Sequence, residues 1–258
     1  VGLDDAFYHY HLSKVIHSSR TLDVYKAVDI LTLCNDYTGA TELCTLFLKD
    51  GYRKNCNGKL LSKARFMFIK QHQERFAQTV IAEMRGVSDE NGSSPFWQWL
   101  EEHFFSMDFP TADYLTGIGQ KVFIAELMPK YPIYVNLLSK DAQAVIGKVH
   151  DNTRPAIELL KSEGFTFNGY VDIFDGGPTV EAKVDNIATI RNANNFNVEI
   201  GEMTGDTMVL LANEKLEDFR ATVAPMTFDE RAKSLILSQE VADALHLQTG
   251  DIVSATTI

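Results

Sequence analysis

The hydrophobic pattern combines short apolar runs with one clear helical stripe. Residues 31–34 and 42–48 are strand-length apolar runs, and the nearly continuous run at 42–48 is typical of a central strand covered on both faces. Between residues 60 and 68 apolar side chains recur at spacings of one, three and four, which predicts an amphipathic helix. Another strand is predicted at residues 79–84. Strand, loop, helix and strand in this order indicate an α/β unit.

The pattern changes after the turn Gly176-Gly177-Pro178. Helices are predicted upstream, at residues 96–104 and 154–163, whereas downstream the chain has short apolar runs separated by Gly-Asp turns. We therefore expect an α/β (α+β) protein with two domains. Residues 1–180 form the α/β domain, and residues 181–258 form a β-rich, barrel-like C-terminal domain.

Composition narrows the class of protein. Of 258 residues, 45% are hydrophobic and 23% are charged, and the net charge is −11, so we expect a folded, soluble, acidic protein. This balance argues against nucleic acid as a partner, because that affinity rests on clustered cations. It leaves room for a local basic pocket for a small phosphorylated ligand. No apolar run approaches the roughly 18 residues of a membrane helix, so no membrane partner is expected.

The cysteines and the N-terminus indicate a cytoplasmic location. Cys34, Cys44 and Cys56 cannot all pair and show no C-x-x-C spacing, which favours reduced thiols. The first residues do not resemble a signal peptide. Because the chain begins Val1-Gly2-Leu3 without a Met, we expect a fragment or a processed product.

The segment RKNCNG at residues 53–58 is the main candidate for binding an anion. It connects a predicted strand to a predicted helix, and the free N–H groups and dipole of a helix N-terminus attract phosphate. Arg53, Lys54 and Lys59 add positive charge at the same place. An ordinary solvated connection between strand and helix remains the alternative.

A few other residues could take part in chemistry. His150 follows a short apolar helix and can be partly protonated near neutral pH, although a structural histidine is the simpler interpretation. Glu83 and Arg85 end a predicted strand and suit a guanidinium and a carboxylate, or else form an ion pair. Asp172 and Asp175 are further carboxylates, in what is more simply a turn. The pair His9-x-His11 lacks partners for a metal and indicates a polar strand face.

Several blocks together resemble bacterial arginine N-succinyltransferases, a family of GNAT-type acyltransferases. They include AEMRG at residues 82–86 and DIFDGGP at residues 172–178. Further blocks lie at residues 42–48, 61–68, 94–98 and 123–130. The blocks run in order over most of the chain up to about residue 190.

The resemblance implies transfer of a succinyl group from succinyl-CoA to the α-amino group of L-arginine, the first step of arginine catabolism by the succinyltransferase route. It implies CoA contacts by Leu46 on the strand at residues 42–48, and by Arg53, Lys54, Asn57 and Gly58 in the loop after it. It makes His150 the proton donor, while Glu83 and Arg85 are expected to bind substrate. No metal and no acyl-enzyme are implied, and the chain has no G-x-S-x-G motif.

Two departures from the family pattern leave alternatives open. The family carries an N-terminal segment with the first strand and helices, and this chain starts after it. Without that segment the sheet would have an exposed edge, so we expect a homo- or hetero-oligomer or a missing segment. Second, Cys56 replaces the usual loop glycine, where a side chain could crowd the pyrophosphate or strain the backbone. A non-catalytic partner subunit and the same chemistry on ornithine are therefore the alternative functions.

Overall fold

The computed structural model describes residues 1–90, 92–105, 107–119 and 122–258, without the side chains of residues 109, 113, 122 and 125. Its strands are β1 His9–Ser19, β2 Val24–Cys34, β3 Thr41–Glu42, β4 Thr79–Glu83, β5 Ile133–Tyr134, β6 Thr166–Val171, β7 Pro178–Lys183, β8 Asn194–Ile200, β9 Thr207–Ala212, β10 Ala221–Met226, β11 Ser234–Leu237 and β12 Ile252–Thr257. Its α-helices are α1 Asn57–Gln71, α2 Pro95–Leu100, α3 Phe109–Gly117, α4 Val122–Leu127, α5 Lys140–Val145, α6 Arg154–Ser162, α7 Ala188–Asn192 and α8 Gln239–Leu245.

The chain forms two compact units, and each is built from more than one stretch of sequence. The first unit comprises Val1–Cys44, Thr79–Glu158 and Phe165–Ala182. The second unit comprises Thr45–Gln78, Leu159–Gly164 and Lys183–Ile258. The expected division of the chain at residue 180 stays a prediction.

The first unit is organised around a seven-stranded sheet with the order β3-β4-β7-β6-β1-β2-β5. Strands β1 and β2 pair antiparallel along their whole length, from His9 opposite Cys34 to Ser19 opposite Val24. The short β3 pairs parallel with β4 at the edge of the sheet. Aromatic and aliphatic side chains of β1, β2 and α2 form one core, in which Tyr10, Phe96 and Trp97 are almost completely buried. Burial of such large apolar side chains is the main stabilising contribution in a core of this kind.

The second unit contains a five-stranded sheet with the order β10-β9-β12-β8-β11. Strands β8 and β11 pair parallel, whereas the other three neighbouring pairs in this order, β9–β10, β8–β12 and β9–β12, are antiparallel. Helix α8 begins at Ser238, whose Oγ accepts the N–H of Val241, as an N-cap serine does. Met67 of α1 packs with Leu210 and Ala212 of β9 in this unit.

Most predicted elements are found, and the mixed α/β fold class is confirmed. The helical stripe at residues 60–68 lies within α1, and the apolar run at residues 79–84 becomes β4. The helix predicted at residues 96–104 starts as α2 but continues as a π-helical turn at Glu101–Phe105.

The predicted strand at residues 42–48 is wrong. Only Thr41–Glu42 form a strand, and this strand lies at the sheet edge and not at its centre. Thr45 has a φ of 52°, a left-handed conformation that ends an extended backbone and is unusual for a β-branched residue. Leu46 and Phe47 are exposed, Phe47 by 71%. The apolar run therefore misled the prediction, because its side chains are not buried.

Candidate functional site

A cavity of about 410 Å³ lies at the end of β4 in the first unit. It is of the size that holds a small molecule. Its walls come from the end of β4 and the residues after it, and from the turn between β6 and β7. The lining residues are Glu83, Met84, Arg85, Ser88, Asp172, Phe174 and Asp175.

Glu83 is the last residue of β4, and its carboxylate lies next to a buried histidine. Oε1 of Glu83 lies 3.1 Å from Nε2 of His9, and a quarter of the Glu83 side chain is exposed. Burial lowers the pKa of His9 to about 4, although Glu42 and Asp36 oppose this change. The imidazole is therefore neutral at neutral pH and can contact Glu83 without adding a positive charge. The expected polar strand face at His9 is in fact a buried position.

Arg85 brings a cation to the same cavity. Its Nη2 donates to Oγ of Ser88 at 2.8 Å, and the residue is exposed. Its backbone carbonyl accepts the N–H of His150 at 2.9 Å. A carboxylate at Glu83 and a guanidinium at Arg85 give the cavity groups that suit a ligand carrying both a cation and a carboxylate.

The turn between β6 and β7 places two carboxyl groups side by side. Asp172 Oδ1 accepts the N–H groups of Phe174 and Asp175 at 2.7 and 2.8 Å. Asp175 accepts the N–H groups of Gly86 and Gly177 at 2.6 and 2.8 Å. Burial, followed by the charges of Asp175 and Glu83, raises the pKa of Asp172 well above its usual range. Burial and the neighbouring negative charges therefore favour the protonated form of Asp172.

His150 is half-buried and lies beside the end of β4. Residues Gly86 and Val149 form an antiparallel bridge, which brings the two segments together. Nδ1 of His150 accepts the N–H of Asn152 at 3.1 Å. Because Nδ1 acts as an acceptor in this contact, a neutral ring carries its proton on Nε2. In the neutral ring, Nε2–H is therefore the group available to donate a hydrogen bond.

The predicted CoA loop belongs to the second unit and contains no comparable network. Arg53 pairs with Asp50 at 3.0 Å and donates to the carbonyl of Leu48, while Lys54 is exposed. Asn57 begins α1, and its side chain donates to the carbonyl of Tyr52 at 3.0 Å. Gly58 follows in the first turn of α1, whose N–H groups lack acceptors within the helix.

The backbone at Cys56 is not strained. Its φ is −100°, whereas the left-handed residue in this loop is Asn55, with a φ of 52°. Asparagine tolerates that conformation better than most residues. Of the two ways in which Cys56 could disturb the loop, backbone strain is therefore removed, and crowding of a ligand remains.

The structure thus brings together three of the predicted residues, Glu83, Arg85 and His150, in the first unit. It places Arg53, Lys54, Asn57 and Gly58 around the start of α1, and leaves Leu46 on an exposed segment without regular secondary structure. Sequence reasoning missed His9 and Ser88 as partners, and it named Asp172 and Asp175 as carboxylate candidates without recognising that they act as a pair. The spacing of two aspartates three residues apart, the second directly before Gly-Gly, was the available signal for that pair.

Within the described residues, no group of three or more His, Cys, Asp or Glu side chains is arranged to hold a metal ion. None of the helices in the described part of the chain is long and apolar enough to cross a membrane.

Comparison with known proteins identifies the family. The family profile "Arginine N-succinyltransferase beta subunit" matches residues 1–189, and the profile of its C-terminal domain matches residues 195–257. Arginine N-succinyltransferases of Salmonella paratyphi B and Salmonella newport are each 50% identical over 255 residues, covering 98% of this chain and 74% of the relative.

A solved structure supports the same conclusion. The arginine/ornithine succinyltransferase subunit AI of Pseudomonas aeruginosa superposes with a TM-score of 0.89 at 34% identity. The match covers 99% of this chain and 74% of that one. The fold and these relatives define an acyltransferase of mixed α/β architecture. The chain belongs to the arginine N-succinyltransferase family.

Proposed function

We propose that this protein transfers the succinyl group of succinyl-CoA to the α-amino group of L-arginine, giving N2-succinylarginine and CoA. The observation that carries the proposal is the 50% identity to arginine N-succinyltransferases over 98% of the chain. The cavity at the end of β4 agrees with it, since it combines carboxylates with a guanidinium. These groups match a substrate that is both cationic and carboxylated.

The reaction forms one bond and breaks another. The neutral α-amine attacks the thioester carbonyl, and the tetrahedral intermediate collapses with cleavage of the C–S bond. The amine loses a proton to solvent, and the departing CoA thiolate gains one. We assign the second proton to His150 acting as the imidazolium, which returns to the neutral imidazole when it protonates the thiolate. No covalent intermediate with the enzyme is needed.

Substrate binding is divided among the predicted residues. Glu83 pairs with the guanidinium of arginine, and Arg85 pairs with a carboxylate, either that of arginine or that of the succinyl group. Arg53, Lys54, Asn57 and Gly58 hold the pyrophosphate of CoA at the start of α1, and Leu46 contacts its pantetheine chain.

A thiol-release assay tests the proposal. Mixing the protein with succinyl-CoA and arginine should release one thiol per N2-succinylarginine detected by mass spectrometry. Mixtures lacking either arginine or protein serve as controls. A folded sample that releases no thiol above these controls would falsify the proposed activity.

Ornithine is the second candidate acceptor. The related Pseudomonas structure is described as an arginine/ornithine succinyltransferase subunit, and ornithine also carries a side-chain cation that Glu83 can bind. The two amino acids should be assayed separately and in competition. The preference follows from the kcat/KM for arginine divided by that for ornithine. A ratio above one supports arginine as the main acceptor, and a ratio below one supports ornithine.

A further inference from the structure

Asp175 connects two segments of backbone at the wall of the cavity. One carboxylate oxygen accepts the N–H of Gly86 just after β4, at 2.6 Å, and the other accepts the N–H of Gly177 just before β7, at 2.8 Å. Asp175 is buried, and a buried carboxylate that accepts backbone N–H groups forms strong, charge-assisted hydrogen bonds. It therefore fixes the end of β4 to the turn between β6 and β7.

Two glycines make this close approach possible. A Cβ atom at Gly86 would lie 2.5 Å from Oδ1 of Asp175, and a Cβ atom at Gly177 would lie 2.2 Å from the carbonyl oxygen of Met84. Both distances are shorter than atomic contacts allow. Any side chain at either position would push the two segments apart, so the local sequence is suited to the short hydrogen bonds of Asp175.

The same turn is bonded to the segment that carries His150. The N–H of Gly147 donates to the carbonyl of Gly176 at 2.8 Å, and the N–H of His150 donates to the carbonyl of Arg85 at 2.9 Å. Gly86 and Val149 form the bridge between these bonds. A change at Asp175 therefore reaches Arg85 and His150 through only a few hydrogen bonds.

Asp172 supports Asp175 from the same turn. It accepts two backbone N–H groups through Oδ1 and forms a side-chain hydrogen bond with Asp175. Two charged groups near the end of β4 act on the aspartates. Glu83, the last residue of β4, acts on Asp172, and Arg85, two residues further on, acts on Asp175. Burial raises the pKa of Asp175, whereas the N–H groups of Gly177 and Gly86 and the side chain of Asp172 lower it, because these hydrogen bonds favour the ionised carboxylate.

We propose that Asp175 is a positioning residue of the acyl-transfer reaction, which holds the backbone of Arg85 and His150 in register beside the cavity, with the side chain of Asp172 as its support. The inference rests on the proposed function, because it takes His150 as the proton donor and Arg85 as a substrate contact. Asp175 itself touches neither the substrates nor the reacting atoms in this account.

The first experiment uses two isosteric substitutions and one truncation. Asp175→Asn replaces one acceptor oxygen by a donor and should lower kcat about 10- to 100-fold through misplacement of His150, while the Kd for CoA stays unchanged. Asp172→Ala should also lower kcat, whereas Asp172→Asn should recover most of that loss, since its amide oxygen can accept the N–H groups of Phe174 and Asp175 and its amide N–H can donate to Asp175. The contrast between Ala and Asn at position 172 decides the question even if Asp175→Asn does not fold.

A second readout does not depend on activity. Hydrogen–deuterium exchange of residues 145–151 should be faster in Asp175→Asn, or in Asp172→Ala, than in the wild type. If the wild type releases no thiol but this exchange increases, the proposed function fails and the positioning of the His150 segment stands. A normal kcat in Asp175→Asn, equal losses in Asp172→Ala and Asp172→Asn, or unchanged exchange in the variants would each overturn the positioning role.

Discussion

The cavity at the end of β4 and the predicted CoA loop differ in how their polar groups are held. In the cavity, Asp172 and Asp175 each accept two backbone N–H groups, and the neutral His9 lies against Glu83. In the loop, Lys54 is exposed and Arg53 pairs with the exposed Asp50. The comparison indicates that the protein itself fixes the polar groups of the cavity, whereas the cationic side chains of the loop lie mainly in solvent. Preorganisation is worth most where charge develops in the reaction.

The largest expected effect is at His150. His150→Ala should lower kcat by roughly 10²- to 10⁴-fold, the range for loss of a general acid, with little change in the Kd for CoA. Steady-state thiol release and calorimetry measure the two quantities. His17→Ala, at an exposed position on β1, is the control and should behave as the wild type. A normal kcat in His150→Ala would remove this residue from the mechanism.

His9 should make the stability of the protein depend on pH. Its pKa falls from 6.5 to about 4 on folding, so the unfolded chain binds a proton first as the pH decreases. The stabilisation is present above pH 6.5 and is lost as the pH falls towards 4, by up to about 3 kcal/mol. Chemical denaturation at several pH values measures it. In His9→Gln this decrease between pH 6.5 and 5 should be absent, and an equal decrease in both proteins would contradict the burial of a neutral His9.

Substitution of Glu83 should weaken the binding of arginine more than that of CoA. Glu83→Gln removes a carboxylate that pairs with the guanidinium, and loss of a charged hydrogen bond of this kind raises KM for arginine by roughly 10- to 100-fold. The Kd for CoA should not change. Glu199→Gln, on the exposed face of β8, is the matched control. Altered CoA binding together with normal arginine kinetics would show that Glu83 contacts CoA and not arginine.

The smallest effect is expected in the loop. Cys56→Gly should leave CoA affinity unchanged or improve it slightly, because the φ of Cys56 is already ordinary and only crowding of the pyrophosphate can be relieved. Isothermal titration with CoA gives the affinity. A clear loss of binding would show that the Cys56 side chain is itself a contact.

Local patterns in the sequence were sufficient where local forces decide the structure. The stripe in α1 and the apolar run in β4 have the periodicity of their elements, and both formed as predicted. At residues 42–48 the apolar run resembles a buried strand, but the left-handed Thr45 ends the strand and Phe47 stays exposed. Burial depends on the remainder of the fold, which apolar periodicity alone does not contain.

At the cavity, too, the sequence indicated single residues but not the contacts between them. Glu83 and Arg85 could be selected because they end a strand, and His150 because of the family resemblance. The contact between His9 and Glu83 joins residues 74 positions apart, and that between Asp175 and Gly86 spans 89 positions. Such pairs arise from the order of strands in the sheet, and a single sequence contains no direct signal for them.

Hydrogen–deuterium exchange with each ligand alone tests the division of roles most directly. The account predicts that CoA slows exchange around the start of α1, at residues 50–60, and leaves residues 83–88 and 172–177 unchanged. Arginine alone should slow exchange at residues 83–88 and 172–177 and leave the loop unchanged. Protection of residues 83–88 by CoA alone, or of residues 50–60 by arginine alone, would contradict the assignment of the cavity to the amino acid and of the loop to CoA.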